Sequence, residues 1–229
     1  MTPEALVSLL RFADGLFPAG GYAHSLGLET YVQRGAIVDA AGAETYLCAY
    51  LEASAGPCDA VAAVGALKAA RRNDLAALLH FDRALDAMKP AFELREASRQ
   101  MGRQAMRVAA ATVGAPIVKQ FEQAVAEAHA PCHHAIVFGL VGGVCGWTPE
   151  NAATAYLYAT AAQLIGAEMR LLPIGQIEGQ QILARIAERI THLARDASER
   201  GFEEIWSFAP GIEIAAMRHA ALDARLFRS

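Results

Sequence analysis

Two short runs hold most of the side chains in this sequence that could do chemistry. The first is His24-Ser25 with Glu29 four residues on: a base, a hydroxyl and a carboxylate within six positions. Adjacent helical residues point about 100° apart, so His24 and Ser25 cannot line up as base and nucleophile, and no catalytic residue is assigned. Their expected work is to satisfy the orphan backbone groups of a tight loop, or to face a partner. The second run is Cys132-His133-His134, with His129 just upstream. Thiolate and imidazole ligands suit Ni(II), Zn(II) or copper. Consecutive ligands diverge on a helix, and Pro131 separates His129 from the rest. Capping and packing at the start of a buried helix is therefore the expectation, and a helical-bundle metal-binding protein using Cys132, His133 and His134 is the alternative. HExxH, Walker A and GxGxxG patterns are absent, and Glu188 and His192 stand four apart rather than the three that a dimetal Glu-x-x-His motif needs.

Something must position the His24 run. Pro18 fixes its own φ and restricts Phe17, while Gly20 and Gly21 permit angles a Cβ would forbid. From His24 onward Leu28, Tyr31 and Val32 fall at helical spacing, with Gly35 as a stop. A sharply shaped loop therefore feeds a helix. Two sets of arginines also stand out. Arg95, Arg99, Arg103 and Arg107 recur every four residues, as a solvated face or a docking surface for an acidic partner. Arg170 ends a largely apolar helix and needs a partner for its charge.

The 229-residue chain as a whole reads as one all-α domain, residues 1–229, a helical bundle of roughly eight to ten helices with residues 201–229 as a C-terminal extension. Ala, Leu, Glu, Arg and Gln dominate and period-two alternation is nearly absent. Asp39 is a cap for a helix ended by Gly56-Pro57, Asp59 for the next, and Asn73-Asp74 for a third reaching Met88. Further helices are expected from Ala91 to Thr112, from Pro116 to near His129, over Cys132–Cys145, from Thr148-Pro149-Glu150 to Leu172, and from Gly175 to Ala197. Beyond Gly201 periodicity fades, and Trp206, Phe208 and Phe227 are candidate anchors of an apolar tail.

Composition narrows the function classes. The chain is 54% hydrophobic and 19% charged, which excludes disorder, with a mean hydropathy of +0.23. Its most apolar stretches, Ala135–Trp147 and Ala152–Ala167, fall short of the roughly 18 uninterrupted apolar residues of a membrane span. They read as buried helices, and the apolar surplus favours an oligomer or obligate complex. A net charge of −4 with no polybasic stripe argues against nucleic acid. Met-Thr-Pro-Glu-Ala lacks a basic region before an apolar core, so no signal peptide is expected. Four cysteines without CxxC spacing read as reduced thiols in a cytoplasm.

Three motifs carry a family resemblance. Asp14, Phe17-Pro18, Gly20, Tyr22, His24-Ser25 and Gly27-Leu28-Glu29 match an acidic residue followed by Phe-Pro-x-Gly-x-aromatic-x-His-Ser-x-Gly-Leu-Glu. Glu168-Met169-Arg170-Leu171-Leu172-Pro173-Ile174-Gly175-Gln176 is the second. The third is Pro210–His219 together with Arg225-Leu226-Phe227-Arg228-Ser229. In this order they resemble the urease accessory protein UreF family across nearly the whole chain. The family usually has Glu after the C-terminal His; here the position is Ala220, and Asp223 is a possible substitute.

The resemblance implies a non-enzymatic, all-α, usually dimeric cytoplasmic protein that binds the accessory protein UreD, called UreH in some organisms. The pair recruits the UreG GTPase to the urease apoprotein for GTP-dependent nickel insertion. The family would bind no stable cofactor, nickel being handled by the complex, and neither nucleic acid nor membrane is a partner. Candidate partner-binding residues are Phe17, Pro18, Gly20, Tyr22, His24, Ser25 and Glu29 in the first motif and Arg170 in the second. The tail adds Trp206, Phe208, His219, Arg225, Leu226 and Phe227. Deleting Gly211–Ser229 is expected to abolish UreD binding while leaving most helical content.

Overall fold

The computed structural model describes residues 1–229 and is helical throughout, with no strand. The helices are α1 (Pro3–Ala13), α2 (Leu28–Gln33), α3 (Ala40–Tyr50), α4 (Val61–Arg71), α5 (Leu75–Ala87) and α6 (Phe92–Thr112). They continue as α7 (Pro116–Ala126), α8 (His134–Val144), α9 (Pro149–Leu171), α10 (Gln176–Glu199) and α11 (Pro210–His219). Asp39, Asp74 and Thr148 cap α3, α5 and α9, their side chains accepting from the amides of Gly42, Ala77 and Asn151.

α8 is the hub. Ala135 through Gly142 are all buried, and nearly every residue of α4 is buried against them. The two helices approach closely because α8 carries Gly139 where any Cβ would stand far inside van der Waals contact with the Ala63 carbonyl oxygen. α9 and α10 pack together on the other side of α4, and α6 covers α8. The apolar stretches that drew attention in the sequence are thus the inside of one contiguous core, and no helix is long and apolar enough to cross a membrane.

Four expectations change. α1 was not foreseen, although Thr2 caps it through the amide of Ala5. α2 starts at Leu28 rather than His24, because Leu26 and Gly27 adopt left-handed φ values of 56° and 95°. A Cβ at Gly27 would also press on the Ile212 carbonyl oxygen at 3.1 Å. Pro210–His219 is a helix where fading periodicity pointed to none.

The fourth change concerns Gly56-Pro57, which does not end the helix. Residues Leu51–Ala60 continue it as a π-helix into α4. Proline lacks an N–H and displaces the carbonyl four residues back, and the wider π turn accommodates both. The carbonyl so released is that of Ala53, and it accepts the amide of Phe208 at 2.9 Å. The Pro57 carbonyl accepts the amide of Trp206 at 3.3 Å. A helix-breaking proline thereby makes a backbone ledge for the tail. Asp59, expected as a cap, is instead buried inside this segment and pairs with Lys89 at 2.8 Å.

Candidate functional site

The fold brings the first and last motifs together. Left-handed Leu26 and Gly27 turn the loop so that His24, Ser25 and the backbone amides face inward, where residues 226–229 lie on them. The Ser229 carbonyl oxygen accepts from the amides of Ser25 at 2.5 Å and Leu26 at 3.2 Å, and from the Ser25 hydroxyl at 2.9 Å. His24 Nδ1 meets the Ser229 hydroxyl at 2.8 Å, and the Arg228 amide donates to the Ala23 carbonyl. His24 and Ser25 therefore grip the tail and do not face each other. Burial, then the nearby Arg228 charge, pushes the His24 imidazole down to about 4, so it is neutral at neutral pH.

Glu29 is the centre of this clasp. Its carboxylate accepts from the Leu226 amide at 2.7 Å, the Phe227 amide at 3.1 Å and the Gln33 side chain at 3.2 Å. His219 Nε2 reaches Glu29 Oε2 at 2.8 Å, while its Nδ1 reaches Glu93 Oε2 at 2.7 Å. Burial alone would raise the Glu29 carboxyl, but the two amides and the histidine hold it below its ordinary value. Both nitrogens of His219 are taken, so no position beside the ring is left for Asp223, and Ala220 lies exposed.

Arg170 finds its partners here as well. It donates to the Tyr22 carbonyl at 2.8 Å and its guanidinium lies 4.2 Å from the centre of the Phe227 ring. Arg225 stands 3.4 Å from Glu93. Phe227 is buried, so of the aromatic anchors only Trp206 and Phe208 project, Phe208 being 73% exposed. Phe17 packs on Phe12 at the edge of the core, with Pro18 and Tyr22 exposed beside it. Gly20 has a φ of 83°, the conformation that shapes the loop.

Cys132, His133 and His134 are not assembled as a ligand set, and no three His, Cys, Asp or Glu side chains in the molecule are. Cys132 takes a left-handed φ of 70°, and Asp82 accepts the amides of Cys132 and His133 at 2.6 and 2.8 Å to hold that turn. His133 uses both ring nitrogens, one toward Ser98 and one toward Asp86 at 2.9 Å. His134 points the other way, against the rings of Phe138 and Tyr156. Burial brings both imidazoles down to about 4. The run does capping and packing work, with Asp82 and Asp86 as its unforeseen partners.

Comparison with known proteins bears on the same motifs. The UreF family model matches residues 37–187. The urease accessory protein UreF of Bacillus sp. TB-90 is 34% identical over 98% of this chain and 99% of its own length. That of Trichodesmium erythraeum is 32% identical over 96% of the chain and 95% of its own, and that of Nostoc sp. PCC 7120 is 31% identical over 100% and 98%. The chain belongs to the UreF family. The loop and tail of the clasp, before residue 37 and after residue 187, lie outside the span of the family model, whereas the match to the Nostoc relative covers the whole chain.

Three features of this UreF-family chain escaped sequence reasoning. Glu93 carries no local signal of its role, because its partner His219 lies 126 residues away. The buried Lys89–Asp59 pair spans two segments with no local signal; burial disfavours the Lys89 ammonium, but the charge and hydrogen bond of Asp59, with Cys58 and Tyr50 beside it, together outweigh this and hold it charged. Glu168 is fully buried with both oxygens unpartnered, and burial, then Glu44, pushes it up to about 7. An acid among apolar residues of α9 was the only available hint.

Proposed function

We propose that this protein is a non-enzymatic urease maturation factor that joins a UreD/UreH-type accessory protein in a scaffold. The scaffold recruits a UreG-type GTPase to the urease apoprotein for GTP-dependent nickel insertion. Nickel is cargo of that assembly rather than a resident cofactor. Membership of the UreF family supports this reading, and a property of the tail supports it physically. The tail backbone is folded and hydrogen-bonded to the chain, yet Trp206, Phe208, Ile214, Met217 and Leu226 all remain exposed. Large apolar side chains held outward on an ordered segment are what a docking surface requires, since little ordering entropy remains to be lost on binding.

The test is co-purification with the cognate UreD protein, tagged on UreD only. Removing Gly211–Ser229 would also remove buried Ile212, Ala216, His219 and Phe227, so outward-facing variants are the sharper probe. Phe208→Asp combined with Met217→Asp is expected to leave the helical circular dichroism unchanged and to weaken the complex at least about tenfold. A complex of wild-type affinity from that variant would remove the tail from the interface. No complex from the wild-type chain would remove the scaffold role.

A further inference from the structure

The arginine row on α6 is split by the fold. Arg95 donates to the carbonyls of Lys89 and Pro90, and Arg99 pairs with Asp86 and Glu96. Arg103 keeps only a 3.6 Å contact to Glu96, and Arg107 has no carboxylate within ion-pair distance. With Gln100 and Gln104 they form one exposed face of the helix, at i, i+3, i+4 and i+7. That face lines a cavity of about 600 Å³ that Arg170 enters from α9 and Arg228 from the tail, with the Pro18–His24 loop as its remaining wall. No Asp or Glu lines it. Four guanidinium groups from three separate elements thus surround one space, on a molecule whose net charge is −4.

Positive charge gathered locally on an acidic protein, offset only by the long Arg103–Glu96 contact outside the cavity, repels itself until an anion arrives. The arrangement decides which anion. Guanidinium forks and carboxamide N–H groups match planar carboxylates, and their spread around a space of this size suits several carboxylates in an extended stretch rather than one compact ion. We propose that this arginine-lined cavity is a recognition site for an acidic segment of a partner protein. Asp or Glu side chains of that segment are taken up by Arg103, Arg107, Arg170 and Arg228. That the occupant is a protein rests on the assembly role proposed above. Because Arg170 and Arg228 also hold the loop and tail together, an occupant would read the closed clasp, not the loop or tail alone.

The first experiment uses the isolated full chain and a fluorescently labelled hexaglutamate peptide, followed by anisotropy at low and high salt. Arg103 and Arg107 carry no structural hydrogen bond, so the Arg103→Glu/Arg107→Glu double variant should keep its fold, checked by circular dichroism. It is expected to bind the peptide at least about tenfold more weakly than wild type. The control, Arg34→Glu/Arg218→Glu, makes the same change in net charge at exposed sites elsewhere and is expected to bind within about twofold. Equal weakening by both pairs, absence of wild-type binding, or displacement of the peptide by inorganic phosphate more readily than by free hexaglutamate would each overturn the proposal. The second experiment repeats co-purification with the cognate accessory proteins. Loss of an assembly step in the α6 pair but not the control is the expected result. A fully assembled complex with the α6 pair would overturn the cavity while leaving the scaffold role standing. Failure of wild type to assemble, with peptide binding intact, would overturn the scaffold role instead.

Discussion

Glu29 is one carboxylate on which four donors converge, two of them amides of the tail and one a histidine shared with Glu93. Each contact to the ionised oxygen pair is a charge-assisted hydrogen bond, worth about 1.5–3 kcal/mol where a neutral bond gives about half that. Glu29→Gln keeps the shape, loses the charge and puts an N–H against amides that already donate. It is expected to cost roughly 2–4 kcal/mol in denaturant unfolding and to loosen residues 225–229, so that trypsin cuts after Arg225 markedly faster than in wild type. Unchanged cleavage would mean that the other contacts of the tail, to Ala23, His24 and Ser25 and through Phe227, hold it without Glu29. The motif around Glu29 was legible in the sequence as an unusual cluster of polar types. What it holds was not, because the histidine and the two tail amides lie 190 to 198 residues away and nothing local encodes that distance.

Helices with strong local signals were legible: α5, α6, α9 and α10 fall close to the bounds their caps and periodicity predict. The π segment was not, because Gly-Pro is read locally as a break, whereas burial on both flanks makes continuation cheaper than exposing an apolar end. The ledge it builds carries the tail, and its buried Asp59 is tied to the α5–α6 connection through Lys89. Asp59→Asn would leave the buried Lys89 ammonium without its counter-charge and is expected to cost roughly 3–5 kcal/mol. Pairing Asp59→Leu with Lys89→Met should recover most of that loss, since two apolar residues of similar volume need no partner. Denaturant midpoints for both variants decide the matter: if the pair is as unstable as the single, the cost lies in the shape of the π turn and not in the unpaired charge.

Over the whole molecule the buried titratable groups oppose one another, and the balance sets how stability varies with pH. His24, His133 and His134 are each lowered from 6.5 to about 4, so between those values the unfolded chain binds more protons and stability falls as pH drops. Glu168, raised from 4.5 to about 7, and Asp82, raised from 3.8 to about 6, act in the opposite direction: the folded chain binds more protons, and stability is lost as pH rises through their folded values. Three imidazoles against two carboxyls leave about one net proton. Stability is therefore expected to be nearly flat above about pH 7 and to fall by about 1.4 kcal/mol per pH unit below it. Below 4.5 the lowered carboxyls of Glu29, Glu44 and Asp86 add to that loss as they are protonated. Glu168→Gln removes one opposing group. It is expected to stabilise the fold by up to roughly 3 kcal/mol at about pH 8, with the gain shrinking to a few tenths near pH 4.5, and so to steepen the acid limb by about one proton. Denaturant titrations of both proteins across that range measure the difference directly. Parallel curves would mean that Glu168 is ionised in the fold and that a partner for its two oxygens exists in solution.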